Sequence, residues 1–283
     1  MKREKLSVST KLARFTSKVV SLAKKAVGDG HKPPVQKGEG GYADWVIVAL
    51  HGLQEYLGHP YRRLMDVLHE MPGVVAKFDL TVAEMPDFTT LCARKQDLEM
   101  RIWRVLLRLS AQLQETGDVQ AIDATGFDRV AASQHYANRT NYTFRSVKTT
   151  ALIDCSTSLI IDIHCSMTQP HDTQIGWQVL KRNLHRVETI TADKGYDWDK
   201  FRRYLRAEGV RPVIKHREFS PLDAAHNARI DDETYHRRSV VESVFASLRR
   251  RFDDTIRART WFGQFREIVL KAAVKNIEAA ISL

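Results

Sequence analysis

Near Thr116 the residue pattern of this chain changes period, and that change most restricts what it can fold into. Downstream come three β-rich runs, VQAIDATG, SVKTTALIDCS and LIIDIHCSM, each with a core of ordinary strand length. Helix and strand then alternate. DTQIGWQVLKRNL reads as a helix capped by Asp172, VETITADKG as a strand, DWDKFRRYLRAEG as a helix and RPVIKH as a last strand. Two helices close the chain, YHRRSVVESVFASLRRRF (235–252) and a segment from roughly Gln264 to Ile281. Three strands followed by this alternation predict an α/β class, a mixed sheet with helices on its faces.

Upstream the pattern is helical. In residues 44–115, Asp44 can cap WVIVALHGLQEYL and Pro60 can open YRRLMDVLHEM; a third helix follows PDFTTL, and a fourth runs from about Gln96 to Leu113. Short helices joined by tight turns, one carrying Arg62 and Arg63, fit a helix-turn-helix-like DNA-binding module and equally a plain helical bundle. Leu12, Phe15, Val19, Leu22 and Ala26 repeat at three-four spacing, so residues 1–27 read as a basic amphipathic helix suited to DNA, a membrane or a partner. Its Ser-rich, acid-poor makeup also fits an organelle transit peptide. Gly and Pro mark 28–43 as a linker. The expected organisation is therefore 1–27, 28–43, 44–115 and a catalytic domain over 116–283.

Charge narrows the partner. The chain carries a formal +10 with a pI near 9.6, unevenly spread. Residues 1–25 hold eight Lys/Arg against Glu4, and residues 236–259 hold seven arginines against Glu242, Asp253 and Asp254. Two separated basic clusters favour a long polyanion, nucleic acid before an anionic membrane. No apolar run approaches the ~20 residues of a membrane span. Cys92, Cys155 and Cys165, odd in number, point to a reducing, cytoplasmic compartment and to no structural zinc.

The helix at 235–252 sorts its residues into two stripes. Val241, Val244, Phe245, Leu248 and Phe252 form an apolar face, and Tyr235, Arg238, Glu242 and Arg249 line one edge of it. By itself Glu242 at that rim, four residues after Arg238, is an ordinary ion pair. AIDATG and TADKGY, however, each end an apolar run with an aspartate, Asp123 and Asp193, before a glycine turn. Asp before Gly is common turn chemistry. If the two strands are neighbours, both aspartates face one crevice beyond the strand ends, and Glu242 supplies a third carboxylate from a helix packed on the sheet. Clustered carboxylates repel, and oxygen ligands without imidazole or thiolate suit Mg²⁺ or Mn²⁺. Two such ions can assist an in-line phosphoryl displacement.

After the two aspartates, Tyr235-x₂-Arg238-x₃-Glu242-x₆-Arg249 resembles the Y-x₂-R-x₃-E-x₆-K signature of DDE transposases of bacterial and archaeal insertion sequences, most closely the insertion-sequence-five group. PDFTTL (86–91), Pro170-His171-Asp172 and ADKGYD (192–197) are similar to that group as well, and the likeness runs from about residue 40 to the C-terminus. Arg249 departs from the family's lysine, a planar fork in place of a point donor. The resemblance implies a ribonuclease H-like catalytic domain with Asp123, Asp193 and Glu242 as a metal-binding catalytic triad. It implies two Mg²⁺ ions, with Mn²⁺ as a substitute. The element's 3′ ends are cut, and the freed 3′-hydroxyls attack target DNA without a covalent protein–DNA intermediate. Double-stranded DNA and at least a homodimer are the implied partners, with no membrane. Tyr235, Arg238, Arg249, Arg250 and Lys194 are the candidate DNA contacts there, joined by Arg62 and Arg63 of the helical region. His135, His164 and His236 show no metal spacing. Trp45, Trp103 and Trp177 read as core, while Trp198 and Trp261 are placed to stack a flipped base. Three rival readings are a ribonuclease H-like nuclease or resolvase that cuts without joining, an inactive DNA-binding remnant, and a membrane-surface protein using the N-terminal helix.

Overall fold

In the computed structural model the predicted change at Thr116 coincides with a division into two units, Met1–Leu113 with Ala273–Leu283, and Gln114–Ala272. Residues 10–36, 41–129 and 146–282 are described; the first nine residues, 37–40 of the predicted linker and His135 lie outside them.

The first unit is helical. Helix α1 (Lys11–Val27) begins at Thr10, whose hydroxyl accepts from Ala13 N at 3.1 Å, and ends at Gly28 in the left-handed region, φ 81°. Its stripe of Phe15, Val19, Leu22 and Ala26 is buried, packed against α2 (Asp44–Leu57) and α6 (Met100–Ala111). The apolar face that sequence offers to DNA, a membrane or a partner is thus taken up inside the unit, while Lys11, Arg14, Lys18 and Lys25 face solvent. Gly52 permits the close approach of α1 to α2, since a Cβ there would lie 2.5 Å from Val19 Cγ2. The predicted linker is tied down by the Trp45 indole N–H, which donates to Lys32 O at 3.0 Å, and by a bridge between Val35 and Tyr42. Helix α3 (Tyr61–His69) opens after Pro60, α4 (Pro72–Val75) is a single turn, and α5 (Phe88–Asp97) is capped by Asp87, which accepts from Thr89 N at 2.8 Å. Asp44 is the first residue of α2 rather than its cap; its carboxylate pairs with Arg94 at 2.5 Å.

The second unit is built on a sheet of order β3-β2-β1-β4-β5. Strands β1 (Val119–Arg129), β2 (Ser146–Asp154) and β3 (Ile160–Ser166) form an antiparallel meander. Strand β4 (Thr189–Ala192) runs parallel to β1, β5 (Arg211–Ile214) parallel to β4, and the short β6 (Thr255–Ile256) pairs with the far end of β1. Helix α7 (Asp172–Lys181) connects β3 to β4, and α8 (Asp199–Ala207) connects β4 to β5. Ile122, Leu152 and Ile161 of the sheet are buried with Ile175 and Val179 of α7 and Phe201 and Leu205 of α8, each side chain contributing roughly 1.5–3 kcal/mol. The remaining helices are α9 (Pro221–Asn227), α10 (Asp232–His236), α11 (Ser239–Phe252) and α12 (Trp261–Ile281), whose residues from Ala273 onward belong to the first unit. Among the described residues no helix is long and apolar enough to cross a membrane.

Two local expectations change. DATG is not a turn: β1 continues through it, with Gly126 opposite Lys148. The segment 235–252 is not one helix either, because the chain breaks between α10 and α11, leaving Tyr235 on the first and Arg238 at the junction. The apolar face of α11 is buried at Val241, Val244, Phe245, Leu248 and Phe252, as its periodicity predicts.

Candidate active site

The ladder between β1 and β4 pairs Val119 with Thr189 and Ala121 with Thr191, then stops. Asp123 and Asp193 each follow two residues later, Asp123 within β1 and Asp193 just past the end of β4. Here β4 ends and β1 continues beside β2. Asp193 caps a short 3₁₀ turn (Lys194–Tyr196), accepting from Gly195 N at 2.7 Å, so the turn reading holds for this aspartate. Asp123 remains in the strand and accepts from Ala124 N at 2.8 Å. Burial pushes the Asp123 carboxyl up to about 6; the negative charges of Asp193 and Asp172 push the same way, against the Ala124 N–H and Arg238.

A third carboxylate beside this pair is therefore Asp172, which sequence reading took for a helix cap. His171 is the N-cap of α7, and Asp172 is its first residue. Lys148 Nζ of β2 lies 2.6 Å from Asp172 Oδ1 and donates to Pro170 O at 2.6 Å. The tripeptide PHD was the available signal, but only the packing of α7 on β1 and β2 gives it a place.

Glu242 stands in the first turn of α11, a helix packed on β1 and β2. Its carboxylate is exposed and 3.5 Å from Arg238 Nη1. Arg238 thus pairs with Glu242 while its charge also favours an ionised Asp123. At the other end of α11 the Arg249 guanidinium donates to Thr125 Oγ1 and to Gly126 O at 3.1 Å, with Asp254 at 3.4 Å. Arg249 therefore fastens the helix of Glu242 to the strand of Asp123 through Nη2, while Nε of the same planar group faces Asp254. Tyr235 is buried, its ring faced by Lys215 Nζ at 4.4 Å and Arg238 Cζ at 5.4 Å. Lys194 is exposed and paired with Glu218 at 2.9 Å, and Arg250 is exposed on α11. Arg62 and Arg63 lie in the first unit, exposed beside a groove between α3 and α5, where Arg62 covers the Phe88 ring at 4.7 Å. Trp198 is partly exposed, with its ring centroid 5.5 Å from that of Trp177.

Residues 114–277 match the family model described as Transposase DDE domain. The chain belongs to this family. It is a DDE transposase, an enzyme that catalyses DNA cleavage and strand transfer. The mixed sheet flanked by helices is the ribonuclease H-like architecture expected from the resemblance. A piggyBac transposase synaptic complex with hairpin DNA, solved by cryo-electron microscopy, is similar in fold, with a TM-score of 0.50 at 12% identity over 99% of this chain and 76% of that one. A chain from the simian T-cell lymphotropic virus intasome in complex with PP2A regulatory subunit B56 gamma has a TM-score of only 0.32 at 12% identity, over 56% of this chain and 47% of that one. No curated protein matches the sequence.

DDE transposases are generally divalent-metal dependent. The donor set around Asp123 fits such an ion: carboxylate oxygens, one of them raised in pKa by burial first and by its acidic neighbours next. Among the described residues, no three His, Cys, Asp or Glu side chains converge closely enough to hold a metal as they stand. The charges of Asp193 and Asp172 act on Asp123, while Glu242 is paired with Arg238 at 3.5 Å.

Proposed function

We propose that Asp123, Asp193 and Glu242 are the catalytic carboxylates of this transposase, holding two Mg²⁺ ions for which Mn²⁺ substitutes. The observation that carries the reading is the matched position of Asp123 and Asp193 past the last β1–β4 pair, where burial, and then the charge of Asp193, disfavour a bare Asp123 carboxylate. When bound, the ions activate the attacking water or 3′-hydroxyl and stabilise the leaving oxygen. Asp123, on a continuous strand, is the rigid member. Asp193 is oriented by its turn. Glu242 would join when a cation competes with Arg238 for its carboxylate or a DNA phosphate draws Arg238 away. Arg238, Lys194 and Arg250 then meet the DNA, and the buried Tyr235, expected from sequence as a further contact, supports Arg238 with the face of its ring.

The helical region 44–115 is proposed as the DNA-binding domain, with Arg62 and Arg63 on phosphates, and 116–283 as the catalytic domain. The related piggyBac structure is a synaptic complex with hairpin DNA; for this chain, too, we take double-stranded element ends as the substrate and at least two protomers as the active assembly.

The test is a linear DNA fragment carrying the gene's own flanking sequence, incubated with Mg²⁺ and either wild type or Asp193→Asn, with every 3′ end mapped. Paired cuts at inverted repeats and joined products, absent in the variant, are expected. Cuts that ignore the repeats and survive the substitution would sink the assignment of the carboxylates.

A further inference from the structure

Tyr196 is fully buried in the transposase, yet its hydroxyl finds no hydrogen-bond partner among the described residues. A buried donor left unmade costs on the order of 1–3 kcal/mol, and such a group calls for an explanation. Its surroundings supply one. The ring lies against Gly176 of α7, where a Cβ would sit 2.6 Å from Tyr196 Cε1 and 3.6 Å from Ile122 Cδ1. Gly176 is one turn after Asp172 on the same face of α7, and Ile122 is the neighbour of Asp123. The phenol is thus wedged between the elements bearing two of the acids, and it follows the third, Asp193, by three residues. Burial and the charges of Asp123, Asp172 and Asp193 all oppose its ionisation, so the group stays a donor.

We propose that Tyr196 is a positioning residue of the carboxylate site and that Asp172 is a fourth carboxylate at its edge. Tyr196 donates its hydroxyl hydrogen to the water or carboxylate oxygen that surrounds a bound divalent ion, and Asp172, steadied by Lys148, accepts from the same shell. The inference rests on the assignment of Asp123 and Asp193 as ion ligands. It makes Gly176 the residue that leaves room for the ring.

The probe is Mn²⁺ alone, titrated into the full chain and followed by electron paramagnetic resonance, for wild type, Asp193→Asn, Tyr196→Phe and Asp172→Asn, with thermal unfolding in EDTA alongside. Outer groups of this kind change metal affinity by roughly 10- to 100-fold. Tyr196→Phe is expected to weaken Mn²⁺ binding about tenfold while its melting temperature in EDTA stays level or rises, since only an unpaired hydroxyl is removed. Asp172→Asn is expected to weaken binding similarly. Unchanged Mn²⁺ affinity in both, beside a large loss in Asp193→Asn, would overturn the roles of Tyr196 and Asp172 alone. Full binding retained in Asp193→Asn would instead overturn the ion-ligand reading beneath them.

Discussion

Asp123 carries its charge at a cost to the fold. Its carboxyl is raised to about 6 by burial first and by Asp193 and Asp172 next. A raised acid favours the folded state while protonated, so its contribution is complete below the ordinary value near 4 and is lost as pH rises through 6. In EDTA at pH 8, Asp123→Asn should therefore stabilise the second unit by about 2 kcal/mol, discounted for partial exposure. The gain should vanish by about pH 4, as read by urea unfolding across pH. A destabilised variant at pH 8 would contradict the strain. His51 gives the opposite sign in the first unit. Burial, then the charge of Lys95, hold its imidazole well below its ordinary 6.5, with the ring between the edges of Tyr61 and Trp103. Stability present above 6.5 should drain as pH falls below it, by up to about 1.4 kcal/mol per pH unit. His51→Leu should flatten that acid slope; an unchanged slope would mean another group causes it. Neither shift is legible in sequence, where both residues are merely an acid and a histidine in apolar runs.

At the level of elements, one contact links the two that matter most. Arg249 joins α11 to β1 through Thr125 and Gly126. Arg249→Lys keeps the charge but not the second nitrogen that faces Asp254 while Nη2 holds Thr125 and Gly126, so it should lower stability by about 1–2 kcal/mol and reduce the cleavage rate while leaving the apparent affinity for DNA near wild type. Affinity that falls with stability unaltered would return Arg249 to a direct DNA contact. The periodicity of α11 identified its buried face, because a 3.6-residue repeat is a local property of the chain. The break before it at Arg238 was not legible. Tyr235 is drawn into the core beside β4, its carbonyl accepting from Thr191 Oγ1 at 3.2 Å, and a straight helix cannot meet that bond and the α11 packing together.

Over the whole molecule, the surplus of positive charge and the burial of α1 separate two ways of testing the N-terminus. Deleting residues 1–25 removes Phe15 and Val19 from the core of the first unit, so unfolding of that unit should dominate the result. Replacing the exposed Lys11, Arg14, Lys18 and Lys25 by Gln keeps the core. If these cations lie on DNA, the slope of log affinity against log salt should become shallower by up to about 3.6, at about 0.9 for each phosphate no longer neutralised. An unchanged slope would place the DNA elsewhere on the chain.

The sequence by itself determined the class of fold, the strand that carries Asp123 and the one that ends just before Asp193, the buried face of α11 and, through the spacing of Tyr235, Arg238, Glu242 and Arg249, the family. These are local repeats and ordered spacings, written into neighbouring residues. Only the tertiary structure decided that DATG is strand rather than turn, that Tyr196 packs on Gly176 of the helix bearing Asp172, and that Arg249 binds its own sheet. Each of those depends on residues distant in the chain meeting across α7, β1, β4 and α11, where burial changes what a carboxylate, a phenol or a guanidinium does.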